Sequence, residues 1–297
     1  MELKTPPWLR GHLEELLKQG PDVLVLRLTL LLLLLHGSST WALELPLKVL
    51  CALMLVSRSL LLDRWMWMVV ATAMLWINAA EWAWIDNHKY LVSYWCLACA
   101  LAVGTRNRTR VLATNGRWLL GLVFGLAVIW KILAGQYLDG SFLHYTALTD
   151  SRLEVPARLA GGLSGQLLSQ NRQLEKALME FPGTEVSVTL NSSPALRLAG
   201  LLGSWWTLLI EGLVALAFLL PKRFRLTAWR DGLLMIFVVT TYGLLPVVGF
   251  ALVLTVMGLA QCEPERQHIR VAYILLFIVA QLVAAPWQGA VDAYLPA

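Results

Sequence analysis

Long apolar blocks constrain this chain more than any motif in it. A helix that crosses the hydrocarbon core of a bilayer needs about 20 mostly apolar residues. Eight blocks approach that length, at roughly 21–37, 43–61, 65–85, 88–104, 115–135, 196–220, 231–259 and 269–289. None alternates apolar and polar residues along its length, so a transmembrane β-barrel is excluded. The expected fold is all-α, a polytopic transmembrane helical bundle of about eight spans. Two places blur the count. Ser38, Ser39 and Pro46 crowd the turn between the first two blocks, and the seventh holds Gly243 and Pro246. That block is expected to kink or to split into two short helices.

Charge is scarce and local. Charged residues form 14% of the chain and mean hydropathy is +0.64. A typical soluble domain carries about 25% charged residues. Disorder, a disulfide-stapled secreted domain and an ordinary soluble enzyme are excluded. The net charge of +5 sits in short loops. Arg58 and Arg64 fill one turn, Arg106, Arg108, Arg110 and Arg117 another, and Lys222, Arg223, Arg225 and Arg230 a third. The positive-inside rule makes these three loops cytoplasmic. The long segment 136–195, with six acids and four bases, then falls outside. Eight spans would leave both termini in the cytoplasm.

The expected organisation follows. Residues 1–20 form a cytoplasmic interfacial helix, with Leu9, Leu13, Leu16 and Leu17 on one face and no signal peptide. Residues 21–135 carry spans one to five. Residues 136–195 are an external amphipathic segment, in which Leu153, Leu159, Leu163, Leu167, Leu168, Leu174 and Leu178 recur near helical spacing. Residues 196–289 carry spans six to eight, and 290–297 are a tail. The expected location is a multi-pass protein of the bacterial inner (plasma) membrane, with the lipid bilayer as its first partner. Many of the 14 Trp lie near block ends, as an interfacial belt places them.

Ionisable groups inside such blocks are the best functional pointers, because each costs at least about 2.5–3.5 kcal/mol to insert. Lys131 interrupts the fifth block in Leu122–Ile132 (LVFGLAVIWKI). Its stem could snorkel to the interface, or its amine could serve as a base. Glu211 lies mid-block in WWTLLIEGLVAL, too deep to snorkel. It is either the structural partner of a buried cation or Tyr, or part of a site. His88 opens the fourth block in Asp86-Asn87-His88-Lys89-Tyr90. It is either a solvated residue of a capped helix start or an acid-base group. His88 and Lys131 are expected at similar depth near the outer end, on neighbouring helices. Cys96 and Cys99 form a C-x-x-C inside a span and are read as small packing residues. A metal or redox pair there has no supporting His nearby in sequence. No nucleotide-binding loop, zinc signature, nucleophile elbow or nucleic-acid-binding patch is present.

These residues carry a family likeness. Asn87-His88-Lys89-Tyr90-Leu91 opening a span, then Trp130-Lys131, then Tyr137-Leu138-Asp139-Gly140, resembles the membrane domain of vitamin K-dependent γ-glutamyl carboxylase. The broader group is the HTTM family, and the likeness covers about residues 20–285. The resemblance implies a reduced quinone as cofactor or substrate. It implies Lys131 as the base in its oxygenation, with His88 in support. It places Glu211 at an acidic position of a later helix and Asp139-Gly140 at an acidic-Gly pair. Asn87, Trp130, Tyr137, Asp139, Gly140 and Tyr242 would line the substrate. A later His of the carboxylase has no counterpart; Thr240, Thr241 and Tyr242 stand near its place. The carboxylase's large extramembrane part is missing, so carboxylation of a protein is not expected.

Three functions compete. The first is an enzyme acting on a lipid-soluble, quinol-like substrate in the outer leaflet, with Lys131, His88 and Glu211 as catalytic residues and no metal. The second is a maturation, export or immunity partner for a secreted peptide, received by segment 136–195. The third is a transporter, against which stand the absent internal repeat and the few polar residues in the spans.

Overall fold

Gly243 and Pro246 decide the least certain element of the sequence. In the computed structural model, which describes residues 20–35, 41–83, 85–180, 188–263 and 265–283, the block 231–259 is two antiparallel helices. Thirteen α-helices and no strand occur among the described residues. In chain order they are α1 Pro21–Leu35, α2 Trp41–Val56, α3 Arg58–Leu61, α4 Arg64–Ala80, α5 Asn87–Val103 and α6 Arg108–Ala134. There follow α7 Ser141–Thr149, α8 Glu154–Gly161, α9 Gly165–Glu180, α10 Pro194–Leu219, α11 Arg230–Tyr242, α12 Val248–Gln261 and α13 Gln267–Val283. The expected interfacial helix at 1–20 falls almost wholly outside the described residues. So do the tail 290–297 and the last residues of the eighth block.

Local chemistry sets the helix limits. Asp63 accepts a hydrogen bond from the Trp65 amide at 2.7 Å and starts α4. Asn107 accepts from the Arg110 amide at 3.2 Å and starts α6. Ser193 accepts from the Leu196 amide at 3.1 Å, with Pro194 in the first turn, and starts α10. Gly135, at φ +75°, follows the last residue of α6 in a backbone region that side chains disfavour. α6 and α10 are long and apolar enough to cross a membrane; α12 and α13 are shorter apolar helices.

The hairpin α11–α12 returns to the end it came from. Asp231 near the start of α11 accepts from Gln261 at the end of α12 at 2.5 Å and from Arg266 beyond it at 2.9 Å. Lys222 before the hairpin meets Glu263 after it at 3.1 Å. A single span across 231–259 would have separated these pairs by the thickness of the bundle. α12 is the central helix: every residue from Ala251 to Gln261 is buried. A helix apolar on all sides has no solvent face to offer, and the others surround it.

Glycines let the long helices approach. Gly121 and Gly125, a G-x-x-x-G, face the end of α10: a methyl added at Gly121 would lie 2.6 Å from Leu219, and one at Gly125 3.7 Å from it. Arg117, one turn earlier, donates to the Phe218 and Leu220 carbonyls at 2.7 and 2.5 Å and caps the end of α10. This antiparallel register brings the last turn of α6 alongside the middle of α10.

Among the described residues of segment 136–195, α7, α8 and α9 form a cap over the start of α10. Leu148, Ala157, Leu163, Leu168 and Leu196 make a small core separate from the main one. His144 sits on Gly200 and shares a 2.6 Å hydrogen bond with Ser192. Partial burial, helped by Arg197, holds the His144 imidazole below its ordinary range. A group whose folded pKa is depressed binds fewer protons folded than unfolded. Its contribution is therefore full above the unfolded pKa and is lost as pH falls below it. The cap is expected to become more accessible to protease as pH drops from neutral through about 6.5, the unperturbed His value. H144Q should remove most of that pH dependence; an unchanged pH profile in H144Q would assign it elsewhere.

Candidate functional site

Lys131 and Glu211 form a buried ion pair between α6 and α10. Lys131 lies in the last turn of α6, and its ammonium donates to both oxygens of Glu211 on α10, at 2.7 and 2.6 Å. The two side chains are 15% and 7% exposed, so the pair is withdrawn from solvent. After Gly135 the chain doubles back and lays the Tyr137 ring 5.2 Å from the same ammonium. Tyr137 in turn stacks on Phe142 of α7 at 4.7 Å. The cation therefore has a carboxylate on one side and an aromatic face on another.

Tyr242, at the end of α11, lies within electrostatic reach of Glu211. Its ring stacks on Phe250 at 6.3 Å and meets Phe237 edge-on at 5.5 Å. Tyr242 also lines a cavity of about 240 Å³, together with Val239, Gly243, Pro246 and Leu276. The break between α11 and α12 forms one wall of that cavity.

His88 occupies a second polar centre. It is buried, its Nδ1 is 4.0 Å from Asp86, and its ring packs on Phe250 at 5.5 Å. Gly249 of α12 leaves it room, since any Cβ there would strike the imidazole. Around it stand Lys48, paired to Glu44 at 2.6 Å, and Lys89, paired to Glu81 at 3.5 Å. His88 and Lys131 were expected to make one pocket. The partners of Lys131 among the described residues are Glu211 and Tyr137, while His88 faces α12. Phe250, which touches both His88 and Tyr242, links the two centres.

The other sequence candidates have plainer places. Trp130 is 74% exposed and points outward from α6. Asn87 is exposed at the first turn of α5. Asp139 is exposed, and its carboxylate accepts from the Ser141 amide at 2.8 Å, which starts α7. Hydrogen bonds from Ser141 hold the Asp139 carboxyl below the usual range. Gly140 has φ +76° and lies against the backbone of Leu201. Asp139-Gly140 therefore builds the turn that seats the cap on α10.

Sequence reasoning missed a third buried polar centre. Asp231, 2% exposed, accepts from Gln261, Arg266 and Tyr273, the last at 3.0 Å. Its signal was an acid inside the seventh apolar block. The four cysteines, Cys51, Cys96, Cys99 and Cys262, are all free and buried. No cluster of three or more His, Cys, Asp or Glu among the described residues is placed to hold a metal. No family model matches this chain, and neither does any curated protein or solved structure.

Proposed function

We propose that this chain is a multi-pass membrane protein whose Lys131–Glu211 centre binds a lipid-soluble, quinol-like hydroxyl compound and takes its proton. The observation that carries this reading is the bidentate pair itself, buried between two helices long enough to cross a bilayer. An ion pair in an apolar bundle adds little stability over well-packed apolar side chains. Chemistry is a better reason to keep one there.

The pairing reassigns the base. An ammonium already held by a carboxylate has no lone pair to offer. Glu211 is the acceptor: the substrate O–H bond breaks, an O–H bond forms on Glu211, and the Lys131 ammonium stays charged beside the new oxyanion. Tyr137 lays an aromatic face beside that position, Tyr242 lies within electrostatic reach of Glu211, and the cavity of about 240 Å³ beside Tyr242 has room for an aromatic head. His88 lies one aromatic residue further on, across Phe250, as a second proton-holding group. The resemblance to the carboxylase membrane domain supports a reduced quinone as the compound.

The hairpin α11–α12 supports a revised membrane path. With the basic loops in the cytoplasm, α1, α2, α4, α5, α6, α10 and α13 cross the bilayer, and α11–α12 enters and leaves on the cytoplasmic side. α11 and α12, at 13 and 14 residues, are shorter than each of the seven helices placed across the bilayer. The start of α1 and the end of α13 then lie on opposite faces, and the cap lies outside.

Extraction and mass spectrometry test the reading. A quinone is expected to co-purify with the wild-type protein and to fall at least tenfold in E211Q. Equal quinone in both would overturn it. The cap favours a second reading. Leu159 and Met179 are 83% and 71% exposed in a segment with its own core, a surface suited to a secreted peptide. Peptide crosslinks confined to 154–180 and unaffected by E211Q would favour it.

A further inference from the structure

The basic end of the bundle holds a cavity that the Lys131–Glu211 centre does not use. Arg117 and Lys131 lie fourteen residues apart on α6, about 21 Å along the helix. The cavity measures about 520 Å³ and lies between the start of α6, the end of α12 and the chain before α11. Four cations line it, Arg110, Arg117, Lys222 and Arg230, with the single acid Glu263. Glu263 is already engaged by Lys222 at 3.1 Å. Among the described residues none of the three guanidinium groups is ion-paired, and Glu263, which Lys222 holds, lies within electrostatic reach of Arg230.

Arg230 carries the argument furthest. It is only 8% exposed, and its Nε is buried with no hydrogen-bond partner among the described residues. Its one side-chain hydrogen bond among the described residues is a long 3.5 Å approach from Nη2 to the Gln261 carbonyl. The adjacent carboxylate, Asp231, is held by Gln261, Arg266 and Tyr273. Arg117 spends two donors on the end of α10 and lies within electrostatic reach of Arg230, so like charges confront each other. Arg110 is exposed at the rim. Arg270, 4% exposed, stands within reach of Cys262 at the cavity wall, with Nε and Nη2 also unpartnered among the described residues. A buried, undercompensated group of guanidinium forks calls for an anion with several oxygens. A cavity of this size accepts more than an isolated ion, since small-ligand sites run from about 300 to 1,000 Å³.

We propose that this cavity binds a phosphate group, carried by a soluble phosphate compound or by the headgroup of an anionic phospholipid. On the membrane path above, the site opens at the cytoplasmic face, where both sources are found.

The test uses the full-length protein purified in detergent. One arm measures thermal stabilisation by inorganic phosphate and by glycerol phosphate against chloride at equal ionic strength. The other measures binding to bilayer discs of phosphatidylcholine with and without phosphatidylglycerol, and mass spectrometry of retained lipid. Wild-type protein is expected to respond in at least one arm, and the arm identifies the source. R110Q should weaken binding about fivefold, the contribution of one basic residue near an anionic surface. R230Q should weaken it at least about tenfold, the effect of losing a charge-assisted hydrogen bond, and R230K should recover part of that loss. R110Q keeps the test decisive should R230Q fail to fold. No response in either arm, or R110Q and R230Q both binding like wild type, would overturn the proposal. The double variant K131M/E211L should bind phosphate normally, which separates this site from the Lys131–Glu211 centre.

Discussion

Replacing Lys131 by Met is expected to destabilise the protein by about 3–5 kcal/mol, because the Glu211 carboxylate is left charged and unpaired inside the bundle. Both Glu211 oxygens lose the ammonium at 2.6 and 2.7 Å, and a side chain 7% exposed gains little compensation from water. E211Q should cost less than K131M, since its amide oxygen still accepts from the ammonium while Lys131 loses its counter-charge. The double variant K131M/E211L should recover most of the loss. Two apolar side chains of matched volume pack between α6 and α10 without desolvated charge. Thermal unfolding of wild type, K131M, E211L and K131M/E211L in one detergent gives all four corners of the cycle. Additive losses in the double variant would show that the two side chains do not interact.

G140A is the second large effect. Gly140 has φ +76°, where an L side chain costs about 1–2 kcal/mol. A Cβ there would also lie 2.6 Å from the Leu201 Cα, and overpacking of that kind adds about 1–3 kcal/mol. Leu201 belongs to a helix and cannot retreat alone. The expected result is a cap that releases from α10, seen as faster proteolysis within 141–180. G162A is the matched control. Gly162 has φ +65° but nothing within 4 Å of the added methyl, so only the backbone term applies. Equal cap release in both variants would remove the contact with Leu201 from the explanation.

The ionisable residues were legible in the sequence because burial makes them conspicuous. Lys131 and Glu211 interrupt apolar runs, and His88 stands where one opens. Their partners were not legible. Glu211 lies 80 residues from Lys131, and nothing in either segment specifies the register of α6 against α10. That register is set by Gly121 and Gly125 against Leu219, a G-x-x-x-G that reads as ordinary apolar sequence until the contact is seen. The same gap explains His88. Topology gives only an expectation of its depth, and which way its ring turns depends on Gly249 opening a space on α12. Gly249 follows Pro246, in the block whose split was an open alternative. Asp139-Gly140 read as a site motif, whereas the left-handed Gly140 and the Ser141 amide give it the work of a turn. The resemblance gives Tyr242 a place beside the substrate; the structure gives it a place within electrostatic reach of Glu211.

The central claim is that the Lys131–Glu211 pair is a binding site as well as a helix contact. Binding of a short-chain benzoquinol to purified protein in bilayer discs tests it most directly. The comparison is wild type against K131M/E211L, once that variant is shown to unfold at a similar temperature. The account predicts saturable binding by wild type and at least a tenfold loss in the folded double variant. Equal affinity in the two proteins would contradict it.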